Sequence, residues 1–429
     1  VTVDRRDSSL RTLPPGRPRG EPTNIELDGA LYRAYVGEPV AAALFAEGVR
    51  LLARSPKYHR ARGLFCGNGH CGSCFLRIDG RPNVRACSTA VTPGLRCERQ
   101  NAFPDAEIDV LAAADWLFPG GMDHHKLMTG SRVGNELFVK FVRQMGGSGT
   151  LPERPPEATA HTRRASVDVA IVGAGPAGLG AACAVAAARP GAHVVVFDDQ
   201  AEAGGSLLAE PDGVARIDAL LGEARRLGID VVTRAEAIGV YGEGDWRELA
   251  VVTPAGLTVV HARRFLYATG AHEQGMALPE GDRPGVLAAR AVGRLAFRFG
   301  IAPARVLLVR DPGRAPEGLE RLAQGLSARG VEVVEVMPDA LAARDVDWKR
   351  DVLALGVLPA PASELPRQHG ARVSLDLARG GFCVEADANG ACVGAAGVYV
   401  AGDVTGFVGP ASAAAAGARV GAAIAADLA

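Results

Sequence analysis

Three features predict a chain of mixed α/β and α+β class with more than one domain. Four of its eight cysteines fall between positions 66 and 87, an apolar strand-like run ends in a glycine turn at 173–178, and a Gly-, Pro- and Thr-rich stretch at 146–162 separates the two. At 429 residues the chain exceeds one ordinary domain, and 48% hydrophobic residues can build sizeable cores. A formal net charge of −1 argues against nucleic-acid binding by bulk electrostatics.

Taken in order, residues 1–23 are polar and Pro-rich and read as an extended arm. The first domain spans 24–101. Runs at 25–27 and 31–35 flank Asp28-Gly29 and predict a hairpin, and 39–49 predicts a helix opened by Pro39. Residues 102–165 form a helical connector and linker containing Trp116 and the pair His124-His125, a pair with no further ligand at metal-binding spacing. From Val167 a strand–helix–strand pattern begins. The apolar run at 410–429 contains Arg419 and Asp427, so it is expected as a buried helix, not a membrane span. No apolar leader precedes the first domain, and a cytoplasmic location is expected, with peripheral attachment to the inner membrane through a partner left open.

The cysteines are spaced Cys66-x4-Cys71-x2-Cys74-x12-Cys87, and the first three match the plant-type [2Fe–2S] pattern. Gly67, Asn68, Gly69, Gly72 and Ser73 are small enough for the loop to wrap tightly and aim backbone N–H groups at sulfur. Three ligands from one loop and one from a following strand predict a β-grasp, ferredoxin-like domain. Structural zinc and unligated thiols are the alternatives; zinc sites more often use two paired knuckles, which the x4 gap does not supply. Cys97 is the rival to Cys87 as fourth ligand. His70, inside the loop, is read as a residue near solvent, not as a ligand.

The second half predicts FAD. A strand at 167–172 leads into Gly173-x-Gly175-x-x-Gly178, with Pro176 and Ala177 opening the helix that would receive a pyrophosphate. The next strand ends at Asp198, 20 residues past Gly178, where a carboxylate can accept ribose hydroxyls; Asp199 is the near alternative. Gly204, Gly205 and Ser206 follow as a loop over the dinucleotide, 245–261 reads as a meander, and a strand from 265 ends at Thr269-Gly270. Gly402-Asp403 precedes the last helix, where Asp403 is expected on the ribityl or phosphate region or, alternatively, as a helix cap. The whole is a two-dinucleotide, glutathione-reductase-like Rossmann fold, with FAD segments at 166–283 and 357–429 around a reduced NAD-like insert at 284–356. In that insert the strand near 306–310 runs into Asp311-Pro312-Gly313, without the glycine fingerprint, and neither a meander nor a third strand is evident. The insert is therefore expected to bind no NAD(P). No catalytic residue is assigned; His272 and Glu273 lie near the flavin or are structural, and the basic run 54–62 is an anion site or a solvated loop.

The run Arg54-Ser-Pro-Lys-Tyr-His-Arg-Ala-Arg-Gly63, the stretch 111–145, Ala268-Thr-Gly-Ala-His-Glu273 and Asp282-Arg-Pro-Gly285 resemble the α subunit of heterotetrameric sarcosine oxidases. The cysteine loop departs from those subunits and resembles the small ferredoxin subunit of hydrogen cyanide synthase. The chain thus looks like a fusion of [2Fe–2S] and FAD-binding subunits in a group that includes opine oxidases and dye-linked proline dehydrogenases. It ends at Ala429, without the folate-binding domain of the larger α subunits.

The resemblance implies a partner: an FAD-dependent β subunit of the D-amino-acid-oxidase type that oxidises an amine or amino acid, with a further small subunit possible in principle. A flavin accepts two electrons and a [2Fe–2S] cluster takes one, so both on one chain imply an electron splitter, the direction between them left open. Two rival readings stand beside it: a stand-alone NAD(P)H-dependent ferredoxin-type reductase, and a relay or assembly subunit with no substrate site. The substrate and the final electron acceptor are not fixed by the sequence.

Overall fold

A computed structural model describes residues 9–56, 58–113, 133–134, 161–242, 247–311, 313, 318–343, 346–348 and 350–429. Trp116, His124-His125 and most of the 102–165 connector lie outside these residues.

The first domain opens with β1 (Pro22–Leu27) and β2 (Ala30–Tyr35), an antiparallel pair closed by a two-residue turn. Asp28 and Gly29 take φ of 51° and 82°, the left-handed pair that matches strand twist in such a hairpin. Helix α1 (Val40–Ala46) follows; it is apolar on every side and wholly buried. It is shorter than the 39–49 expected because Gly48, at φ 82°, ends it. Strands β3 (Phe75–Ile78), β4 (Arg81–Arg85) and β5 (Arg96–Glu98) complete a five-stranded sheet in the order β2-β1-β5-β3-β4, with β1 parallel to β5. This is the β-grasp arrangement.

The Rossmann unit begins with β6 (His161–Val172), six residues before the expected start at Val167 and inside what reads as linker. The exposed residues His161 to Arg164 are held in strand form by pairing, not by burial: each is in register with the start of β11, from Gly256 to Val259. Then come α2 (Pro176–Ala188), β7 (Val194–Phe197), α3 (Gly213–Arg226), β8 (Asp230–Val232), and the meander β9 (Glu236–Tyr241), β10 (Glu248–Thr253) and β11 (Gly256–Tyr267). The strand expected from 265 is the end of this long β11.

The insert contributes β12 (Val286–Ala288), β13 (Arg305–Arg310), helix α4 (Leu319–Ser327), β14 (Glu332–Val336) and β15 (Asp351–Gly356), a parallel sheet ordered β12-β15-β13-β14. The third strand that the sequence leaves hidden is β15, whose six residues are all buried at the sheet's centre. Its run Asp-Val-Leu-Ala-Leu-Gly lacks the β-branched density of a typical strand. The chain then returns through β16 (Val398–Val400), parallel to β11, and α5 (Gly409–Asp427).

Glycines bring α5 against α2 almost backbone to backbone. A Cβ on Gly417 would lie 1.9 Å from the Ala177 carbonyl oxygen, and one on Gly421 2.3 Å from that of Ala181. Among the described residues no helix is long and apolar enough to cross a membrane.

One core spans an expected domain boundary. It runs from Ile25, Leu44 and Leu76 of the first domain into Leu287, Val306 and Ala354 of the insert, so these two units share a single interior. The arm joins them: Leu10 N–H donates to Ala46 O at 2.7 Å, Leu13 N–H to Gly300 O at 3.1 Å, and Gly16 N–H to Arg298 O at 3.2 Å. Arg11 pairs with Glu38 at 2.7 Å and Arg17 with Glu202 at 2.7 Å. Polar composition alone suggests a free arm; from residue 9 it is a strap bound to the first domain, the Rossmann unit and the insert. Its most buried large apolar side chain, Leu13, is 7% exposed, and Leu10 packs against the same core. Leu13→Ala is expected to cost about 2–5 kcal/mol, the range for deleting a buried leucine side chain, read as a lower denaturant midpoint.

Candidate cofactor sites

The cysteine loop is built on left-handed glycines: Gly67, Gly69 and Gly72 take φ of 66°, 86° and 65°. They fold it so that the thiols meet. Cys66 hydrogen-bonds to Cys71 and Cys87, and Cys74 to Cys87. Gly69 N–H points at Cys87 Sγ at 3.2 Å and Ser73 N–H at Cys71 Sγ at 3.4 Å. The mutual hydrogen bonds draw Cys66 far below an ordinary thiol, while the bond to Cys66 pushes Cys71 well up. Cys97 is not part of this group: it sits in β5 in register with Leu27 and Ile78, buried in the core, and burial pushes its thiol up to about 12.

Among the described residues, no three His, Cys, Asp or Glu side chains are arranged to hold a single metal ion. A two-iron core asks for something else: each iron takes two of the four thiolates, and the contacts of Cys66 with Cys71 and Cys87 and of Cys74 with Cys87 bring all four sulfurs together. The residues present fit the [2Fe–2S] group.

A cavity of about 510 Å³ opens at the end of β6. Of the expected nucleotide residues, Gly173, Gly175, Pro176, Ala177, Asp198, Asp199, Gly205, Ser206, Thr269, Gly270, Gly402 and Asp403 line it. Gly178 and Gly204 do not, and their role is close packing. A Cβ on Gly178 would fall 1.9 Å from Gly173 O, and one on Gly204 would meet Leu208 at 2.6 Å. Gly175 differs: the nearest atom to a Cβ there is Gly205 Cα at 3.8 Å, so its face is open to the cavity. The helix N-terminus with an open glycine face, and the buried Asn68 Oδ1 on the cavity wall that lacks any partner, fit a dinucleotide with donor groups.

The two aspartates after β7 separate. Asp198 is buried and accepts from Ala174 N–H at 2.7 Å and Gln200 N–H at 2.9 Å. Burial, then the charge of Asp199, push it up to about 6 against those bonds. Asp199 instead accepts from His70 Nε2 at 2.8 Å. Its carboxylate therefore reaches across to the cysteine loop, a use the sequence reading, which took it as a ribose alternative, does not foresee. His70 is exposed, as expected, and it also bonds to Asp199 with the His272 ring 5.2 Å away and edge-on. The bond to Asp199 raises its pKa above the ordinary histidine value, against burial.

Asp403 is engaged twice. Its Oδ1 accepts from Val408 and Gly409 N–H at 3.0 and 3.1 Å, which caps the start of α5, and its Oδ2 faces Arg290 Nη1 at 3.4 Å. Arg290 also donates to Glu273 Oε1 at 2.6 Å. This Glu273–Arg290–Asp403 row lines the cavity floor. Arg290 and Arg294 escape sequence reasoning because they sit on a short helix, Ala289–Gly293, that continues as a π-helical turn, Arg294–Arg298, within a region without motifs. The basic run 54–62 is partly absorbed internally: Arg54 donates to Ala106 O at 2.8 Å and His59 O at 3.0 Å.

Fold and site thus define an oxidoreductase with places for FAD and a [2Fe–2S] cluster. Comparison with known proteins agrees. The family described as 2Fe-2S iron-sulfur cluster binding domain matches residues 20–102, and that described as NAD(P)-binding Rossmann-like domain matches 171–219, the first Rossmann unit and not the insert. The chain is 31% identical over 390 residues to the sarcosine oxidase subunit alpha of Rhizobium meliloti, covering 82% of this chain and 38% of that protein. Over 83 residues, 19% of this chain and 79% of the relative, it is 46% identical to hydrogen cyanide synthase subunit HcnA of Pseudomonas aeruginosa. Its fold matches L-proline dehydrogenase from P. horikoshii with a TM-score of 0.73 and 20% identity, over 98% of this chain and 76% of that one. The similarities fall within the group that the sequence resembles: sarcosine oxidase alpha subunits over most of the length and HcnA over the first domain. The chain spans well under half of the full length of the alpha subunits it matches.

Two outcomes follow from this geometry. Gly417→Ala drives a methyl into the Ala177 carbonyl and is expected to push α5 from α2 and leave the purified protein depleted of FAD, read by flavin released on denaturation. His369, whose Nε2 meets the Tyr267 hydroxyl at 2.6 Å, is lowered to about 4 by burial and by Arg247. Its folded pKa lies below the unfolded value, so the unfolded chain binds the extra proton first as pH falls. Stability is expected to drop as pH falls from about 6.5 toward 4. His369→Gln should flatten that slope in urea titrations.

Proposed function

We propose that the chain is the FAD- and [2Fe–2S]-carrying electron-transfer subunit of a heteromeric amine or amino-acid dehydrogenase or oxidase. In this reading a partner β subunit of the D-amino-acid-oxidase type oxidises a C–N bond in a substrate such as glycine, sarcosine, proline, hydroxyproline or an opine. The observation that carries it is that Cys66 and Gly173, one from each cofactor site, line the same cavity. Together the two groups supply conversion of a two-electron oxidation into single-electron transfers. Cys66, Cys71, Cys74 and Cys87 would hold the cluster. The glycine turn and the N-terminus of α2 would hold the dinucleotide phosphates, and Asp198 the ribose. Arg290, its side chain 23% exposed, keeps a positive charge on the cavity floor, paired to Glu273 and Asp403.

The names of the relatives, subunits of sarcosine oxidase and of hydrogen cyanide synthase, support both the partner and the C–N chemistry. The insert's sequence Asp311-Pro312-Gly313, in place of a glycine fingerprint, supports the absence of NAD(P). The rival NAD(P)H reductase draws on one observation, the four-stranded parallel sheet that the insert retains.

Purified chain should contain about two irons and one FAD, and Cys71→Ser should lose the cluster absorption while keeping flavin. Alone it should reduce no dye with an amine; with its β-type partner it should. Flavin reduction by NADH or NADPH at catalytic rates would replace this reading with the reductase.

A further inference from the structure

We propose that the cluster loop and the nucleotide cavity form one coupled binding unit, and that His70 is the positioning residue that couples them. The inference rests on the assignment of FAD and [2Fe–2S] to these sites, not on amine chemistry. Cys66, Asn68 and His70 form part of the cavity wall, so the ligand loop of one cofactor is a wall for the other. Polar contacts pin it there. His70 Nε2–H donates to Asp199 at 2.8 Å, Gln200 Nε2–H donates to Asn68 O at 2.9 Å, and Arg85 bridges Gly69 O at 3.0 Å and Glu236 at 3.3 Å. Asp199 and Gln200 directly follow Asp198, so the loop is fastened to the segment that carries the expected ribose carboxylate.

The loop's shape depends on its ligands. Three left-handed glycines between Cys66 and Cys74 give a backbone that many conformations can satisfy, and joining the thiols narrows that choice beyond what the polar contacts alone can do. Release of the thiols therefore loosens the wall, and loss of the dinucleotide leaves the wall's inner face in water. A coupling of this kind is reciprocal: whatever factor the cluster adds to FAD retention, FAD must add to cluster retention. His70 is where the two meet, because it alone in the loop places a side chain between Asp199 and His272.

The test uses the full chain with both cofactors loaded. FAD release is followed by its fluorescence, and cluster loss to an iron chelator by visible absorption. His70→Ala is expected to speed both about tenfold, the scale of one lost charge-assisted hydrogen bond. His70→Gln, whose amide N–H can still reach Asp199, should recover most of both rates. Wild-type protein stripped of iron should release FAD as fast as His70→Ala. If His70→Ala fails to assemble a cluster, Gln200→Ala leaves the ligand loop's sequence intact and must speed both losses together. FAD release that is the same with and without iron, or a His70→Ala effect on one cofactor only, would overturn the inference. No amine enters these readouts, so coupled cofactors in a chain that supports no amine oxidation would sink the functional proposal alone.

Discussion

The interior shared by the first domain and the insert is the constraint on which the rest of the molecule depends. A ferredoxin-like domain of this size buries too little surface to be strongly stable by itself. Here its helix α1 is apolar on all sides because it has no solvent face. It packs in one cluster with the insert strands, including Leu287, Val306 and Ala354. That continuity sets the orientation of the cysteine loop, which leaves Phe65 O to accept from Ala288 N–H at 3.1 Å and places Gly67 against Ala291. The insert's sheet thereby serves as the platform on which the first domain is mounted.

On that platform polar groups are brought to one place at considerable desolvation cost, and each is compensated. Glu273 is raised by burial, and Arg290 opposes the shift through charge and hydrogen bond. Asp403 splits its two oxygens between the helix start and the same arginine. Removing Arg290 would leave the Glu273 and Asp403 carboxylates, both largely buried, without the cation they share, which is why the row behaves as one unit and not as three replaceable residues.

Local signals carried most of the site into view. Cysteine spacing, the glycine turn and the acid at 198 are short-range patterns whose chemistry depends on near neighbours, and their residues meet where spacing implies. What the sequence could not show is long-range. Asp199 and His70 are 129 positions apart and nothing local marks them as partners. Arg290 has no motif because its function depends on Asp403, 113 positions on. Strand β15 hides for a related reason: at the centre of a parallel sheet it needs only apolar volume, so Leu and Ala serve without the alternation that marks a half-exposed strand. The start of β6 hides for the opposite reason, since its polar residues are extended only because β11 is long enough to pair with them.

The strap has a consequence in time as well as in space. Thr12 hydroxyl donates to Ala302 O across 290 positions, and Leu13 N–H meets Gly300. During synthesis the arm leaves the ribosome long before its docking groove has been made, at rates of about 5–20 residues per second. For some 15 seconds or more its contacts to the insert must remain unmade, with Leu13 in water, while the units it will join fold beneath it. A polar, proline-rich segment with few apolar anchors suits that wait: it stays soluble, then closes over the finished assembly as its last fastening.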